Sequence, residues 1–120
     1  MSTYTDGFVI PLPKSKIQEY RVMAAKAAAV WREHGALEYC EWLGDDMDAK
    51  EMTSFPQLAH CGPDEVVVFS WITYQSREHR DEVNAKVMAD PRLADMMNQE
   101  NQPFDCKRMA YGGFSLLVRA

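Results

Sequence analysis

The run Val66-Val67-Val68-Phe69-Ser70-Trp71-Ile72-Thr73-Tyr74 constrains this chain more than any other segment. It is rich in β-branched and aromatic residues, and Gly62-Pro63 and Ser76 bound it, so it predicts a strand over Glu65 to Tyr74. Successive side chains of a strand point to opposite faces. Both faces of this strand are apolar, so it belongs in the middle of a sheet with cover on each side.

The neighbouring segments supply the rest of a fold. Tyr4 to Ile10 predicts a short strand, closed by Pro11-Leu12-Pro13 because proline has no N–H for a ladder. Lys14 to His34 predicts a long helix. Its Ile17, Tyr20, Ala24, Ala27 and Trp31 recur at three- and four-residue steps, and Gly35 supplies the C-cap. Leu37 to Leu43 predicts a strand with Leu37, Tyr39, Glu41 and Leu43 on one face and Glu38, Cys40 and Trp42 on the other. Ser76 caps a helix beginning at Arg77, with Val83 and Val87 on its buried side. Asp90-Pro91 starts a second helical piece, Arg92 to Met97. Asn98 to Asp105 reads as a polar connection. Lys107 to Val118 reads as the last strand, in which Gly112-Gly113 implies a bulge or a close backbone approach. Asp45 to Asp64 is a long connection of the kind that forms lids and binding loops, with Thr53 to Phe55 extending a strand.

The order β-α-β-β-α-β is the split motif of ferredoxin-like domains: an α+β fold with an antiparallel sheet and both helices on one face. At 120 residues the chain is expected to be a single domain, 1–120. The helices leave the second apolar face of the central strand bare. A second copy of the same sheet is the simplest cover, so a homodimer, a dimeric α/β barrel, is expected.

Composition narrows the partners. Apolar residues make up 47% and charged residues 26%, which is ordinary globular usage. The net charge of −5 gives no general attraction to phosphate backbones, so nucleic acid is disfavoured. No stretch approaches the ~20 apolar residues of a membrane span. The N-terminal residues lack the features of a signal peptide, and Cys40, Cys61 and Cys106 form no disulfide pattern, so a cytoplasmic protein with reduced thiols is expected. Asp45, Asp46, Asp48 and Glu51 lack the glycine and closing glutamate of a calcium loop, and His60-Cys61 has no second pair at zinc spacing. No metal is expected. A glycine-rich phosphate loop and a nucleophile elbow are both missing, so no cofactor is expected.

Candidate chemistry rests on few groups. His34 follows Trp31 by three residues and is either a proton carrier at a pocket edge or a partner of the helix dipole. His79 and Arg80 open the second helix, where an anion could dock or where a solvated turn suffices. Asn84 extends that polar surface. Trp31, Trp71, Met88, Phe104 and Met109 form either the walls of a small-ligand pocket or plain core. Arg108 could steady an anionic oxygen. The enzyme reading uses His34, His79 and Arg108 as the catalytic set. The alternative is a non-catalytic ligand-binding or stress-response module, and RNA binding ranks last.

The segments Asp6-Gly7-Phe8-Val9-Ile10-Pro11, Val30 through Tyr39, Thr53-Ser54-Phe55-Pro56, Phe69-Ser70-Trp71, Ser76 through Asp81, Asn84 through Met88, Asp90-Pro91-Arg92 and Pro103 through Phe114 resemble the YbaA-like family of small uncharacterised bacterial proteins. The resemblance covers nearly the whole chain. It implies the dimeric α/β-barrel fold and brings no catalytic residues. By fold-level analogy, the wider superfamily points to a cofactor-free monooxygenase- or isomerase-like enzyme acting on a small organic molecule.

Overall fold

The computed structural model describes residues 1–97 and 102–120. The expected polar connection from Asn98 lies partly outside the described residues. Four strands form one antiparallel sheet: β1 (Tyr4–Pro13), β2 (Glu38–Leu43), β3 (Glu65–Tyr74) and β4 (Ala110–Ser115). Their order across the sheet is β2-β3-β1-β4. The helices are α1 (Ile17–Glu33), α2 (Phe55–Leu58), α3 (Arg77–Met88) and α4 (Pro91–Met96). The protein is thus a mixed α/β fold.

β3 is central, as its two apolar faces require. Alternation assigns Val68, Ser70, Ile72 and Tyr74 to the helix-covered face, and all four are buried. Val30 of α1, Ile72 and Tyr74 of β3, Val83 and Val87 of α3, and Leu93 of α4 close one part of the core. Ile10 and Leu12 of β1 meet Tyr20 and Ala24 of α1 in the other. Ala24 and Ala27 are buried, and their small side chains let α1 approach the sheet closely.

Caps set the helix boundaries. The Ser76 hydroxyl accepts from the His79 N–H, and Asp90 accepts from the Arg92 N–H ahead of Pro91. Gly35 takes φ 116° just beyond α1, a conformation that side chains with a Cβ rarely adopt.

Three expectations change. β1 does not stop at Ile10 but continues through Pro13. β4 pairs with β1 only between Tyr4 and Val9, so beyond that point β1 has β3 on one side alone. The Lys14 N–H donates to the Asp64 carbonyl, and ladder alternation then turns the nitrogens of Pro11 and Pro13 toward the vacant side, where no donor is needed. Thr53 to Phe55 does not extend a strand. Ser54 and Gln57 instead form a reciprocal capping box that starts α2, with Pro56 in its first turn. The last strand is shorter than Lys107 to Val118, because Asp105 accepts from the Lys107 N–H and winds Cys106–Arg108 into a 3-10 turn. The close approach expected at Gly112-Gly113 is present: a Cβ on Gly113 would fall 2.2 Å from the Tyr4 hydroxyl.

The opposite face of the sheet carries Val9, Trp42, Phe69, Trp71 and Phe114 by alternation and register. Trp42, Phe69 and Phe114 are exposed. Trp71 joins Trp42 and Phe69, with ring centroids 5.3 Å from Trp42 and 5.7 Å from Phe69. α2 touches only the end of this face, through Phe55 at 5.9 Å from Phe69.

Candidate functional site

β2 is an edge strand, and its alternation decides the chemistry of the covered face. Tyr39, Glu41 and Leu43 pair with Ile72, Ser70 and Val68 and point toward the helices. Glu41 therefore sits on an apolar face beneath α1. The Tyr20 hydroxyl, from α1, donates to one carboxylate oxygen at 2.7 Å, and the Tyr39 hydroxyl donates to the other at 2.9 Å. Burial pushes the Glu41 carboxyl above its ordinary range, against the opposing hydrogen bonds from Tyr20, Tyr39 and Ser70. Burial and then the neighbouring Glu41 carboxylate push both phenols upward, so they remain protonated donors.

A cavity of about 190 Å³ opens in front of this carboxylate, between the sheet and α1, α4 and the approach to β4. Trp31, Phe104 and Met109 line it, together with Met23, Leu93 and Met96. Trp31 stands 6.0 Å from Tyr39, and Phe104 stands edge-on to Tyr20 at 5.6 Å. An apolar cavity of about 150 Å³ accommodates benzene. The space here suits one substituted ring. Glu41 also borders a second groove at the β2 edge, whose exposed rim residue Arg21 is held by Gln18.

Of the residues singled out in the sequence, Trp31, Phe104 and Met109 come together as cavity walls. Trp71 lies on the opposite face of the sheet, and its indole N–H donates to Glu38 at 2.7 Å. Met88 is exposed at the end of α3. Asn84 stands behind the cavity wall, where its side-chain oxygen accepts from the Trp31 indole at 3.3 Å and the Tyr74 hydroxyl at 3.4 Å. Arg80 does not offer its guanidinium to an outside anion. It pairs with Asp6, only 2% exposed, at 2.7 Å, and it donates to the Tyr111 hydroxyl at 2.8 Å.

The three residues of the expected catalytic set lie apart from one another. His34 Nε2 meets Asp90 at 2.8 Å and ties the end of α1 to the start of α4. His79 Nδ1 accepts from the Gln75 N–H at 3.0 Å. Arg108 grips Glu65 through two parallel hydrogen bonds of 2.7 and 2.8 Å. Arg108, with help from the Gly62 N–H, holds Glu65 at about 2. None of the three lines the cavity.

Glu41, Tyr20 and Tyr39 were not singled out as functional, although the signal was in the sequence. An acid that alternates in step with Tyr39 and Leu43, on the face a helix must cover, is a buried carboxylate in waiting. Among the described residues no group of three or more His, Cys, Asp or Glu side chains could hold a metal ion. No described helix is long and apolar enough to cross a membrane.

A four-stranded antiparallel sheet with packed helices defines a mixed α/β fold that recurs in solved structures. A NIPSNAP family protein of unknown function from Agrobacterium tumefaciens superposes with a TM-score of 0.61 at 15% identity, covering 95% of this chain and 87% of that one. An uncharacterised NIPSNAP domain protein from Burkholderia xenovorans superposes with a TM-score of 0.56 at 13% identity, covering 98% and 94%. At such identities the likeness concerns the fold alone. Closer relatives give the family. The model for "Protein of unknown function (DUF1428)" matches residues 3–106, and this chain belongs to that family. The uncharacterised protein YbaA of Escherichia coli K12 is 45% identical over 115 residues, covering 96% of this chain and 97% of that protein. YbaA of Shigella flexneri matches to the same extent.

Proposed function

We propose that this chain is a single ferredoxin-like domain of a dimeric α/β barrel that holds a compact organic molecule between sheet and helices. In this reading it works on that molecule without a cofactor, by proton transfer to Glu41. The observation that carries the reading is a partly buried carboxylate, fixed by two tyrosine hydroxyls, at the wall of an apolar cavity. A general base works best when its pKa lies near the operating pH, and burial moves Glu41 in that direction. Glu41 takes the place of a histidine here because His34 and His79 are engaged elsewhere. The exposed aromatic face formed by Trp42, Phe69 and Phe114 supports the dimer, since contiguous apolar surface of this kind marks an interface.

The test is a screen of single-ring molecules for thermal stabilisation, followed by turnover assays on each hit. The expected result is a ligand that raises the melting temperature of the wild type and undergoes proton exchange or isomerisation, with Glu41→Gln abolishing that chemistry. A ligand recovered unaltered from the cavity would convert the enzyme reading into one of binding alone. Retention of full activity by Glu41→Gln would remove Glu41 as the base.

A further inference from the structure

The polar inventory of the cavity selects the charge of its ligand. Resting on the reading that the cavity holds a ligand, we infer that this ligand is an organic amine of single-ring size, bound as its ammonium ion against Glu41 within a cage of aromatic rings.

Three observations converge. First, among the described residues Glu41 is the one formally charged side chain at the cavity wall. No Lys, Arg or His lines the cavity among the described residues, so a cation entering it meets an uncompensated carboxylate. Second, the walls are the kind that receive cations. Tyr20, Tyr39, Trp31 and Phe104 line the same cavity as the carboxylate, and aromatic cages recognise ammonium groups. Third, the phenol and indole donors at the wall are already committed to protein acceptors. Both tyrosine hydroxyls donate to Glu41. The Trp31 indole donates to Asn84, and the Gln102 amide donates to the Met96 carbonyl. The free hydrogen-bonding capacity at the carboxylate end is therefore acceptor capacity: the remaining lone pairs of Glu41 and of the two phenol oxygens. At that end a carboxylate or phosphate ligand would meet repulsion, and a ketone would find the phenol and indole donors already engaged. An ammonium group brings up to three donors and a positive charge to a site that offers acceptors and a negative one.

Such binding also relieves a cost inherent in the fold. A carboxylate beneath a helix is held at a desolvation penalty, which its tyrosine partners only partly offset. An ammonium ion neutralises it in place.

The experiment compares benzylamine, benzyl alcohol and benzoate, three molecules of one size and different charge. Binding to the wild type and to Glu41→Gln is read by calorimetry, with side-chain NMR shifts of Trp31 and Phe104 locating the ligand. Localisation is required because a chain of net charge −5 attracts cations to its surface as well. The expected result is benzylamine bound at least about tenfold more tightly than benzyl alcohol, with benzoate excluded and the amine's advantage gone in Glu41→Gln. Should the glutamine variant fail to fold, the wild type still decides the matter, because benzylamine affinity must fall as acid protonates Glu41 while benzyl alcohol affinity stays flat. Equal or tighter cavity binding of benzyl alcohol or benzoate would overturn the amine assignment and leave the ligand-pocket reading standing. Failure of all three to perturb Trp31 or Phe104 would overturn the pocket reading and the assignment with it.

Discussion

The two faces of the sheet are built from the same strands by alternation, yet they solve opposite problems. On the helix-covered face the apolar side chains find partners within the chain, as Leu12 and Tyr74 do at 0% exposure. The polar groups on that face are bonded to one another: Glu41 to Tyr20 and Tyr39, and Asp6 to Arg80. No buried side-chain nitrogen or oxygen there is left without a partner among the described residues. On the opposite face Trp42, Phe69, Trp71 and Phe114 form an aromatic surface with almost no intrachain cover. One face thus shapes a small cavity beside a partly buried carboxylate, and the other presents area. Small-molecule chemistry needs the first property and association needs the second.

The comparison breaks most sharply at Arg80. Arg80→Met leaves Asp6 buried and unpaired, and a loss of about 3–5 kcal/mol is expected. Urea unfolding measures it, and the loss should be independent of protein concentration because the contact lies within one chain. The aromatic face should behave in the opposite way. Phe69→Asp places a charge in the proposed interface and is expected to weaken self-association by about a hundredfold, or roughly 2.7 kcal/mol, while the fold is retained. Sedimentation equilibrium reports the mass, and a monomeric wild type at micromolar concentration would remove the dimer altogether.

A smaller and more telling effect is expected at Glu41. Burial holds its folded-state pKa above its unfolded value, so the stability it contributes is complete below the ordinary glutamate range of about 4.3. That stability is lost as pH rises through the folded-state value. Glu41→Gln is neutral at every pH. It should therefore raise stability at pH 7 and flatten the pH profile above the glutamate range, as thermal melts across pH will show. The smallest change is expected at the histidines: His34→Ala and His79→Ala should leave ligand affinity in the cavity within about twofold, since neither lines it. A larger loss at either would return the histidines to the site.

Much of the sheet was legible in the sequence because period-two patterning fixes which face each side chain takes. Val66 to Tyr74 announced a central strand, and Ser76 and Asp90 announced their helices. The departures arose where pairing rather than pattern decides. Pro11 and Pro13 stay in β1 because β4 has already left that edge, and a single sequence carries no information about where a neighbouring strand ends. The site was half legible. Trp31, Phe104 and Met109 were found as walls because aromatics and methionines at helical and strand spacing report burial. Trp71 was misplaced with them, since an apolar residue on a two-sided strand does not reveal which face it serves. Glu41 is not legible as a base from the sequence, because histidines titrate near neutral pH without help, whereas a glutamate becomes a candidate base only once burial is known.

The central claim is that the covered face holds a carboxylate whose environment lifts its proton affinity. Carbon-13 NMR of glutamate side-chain carboxyls, with the Glu41 resonance assigned by its loss in Glu41→Gln, measures that directly across pH. The account predicts a Glu41 midpoint above the ordinary glutamate value of about 4.3. A Glu41 midpoint at or below that value would contradict the account, because it would mean that the cavity hydrates the carboxylate as well as bulk water does.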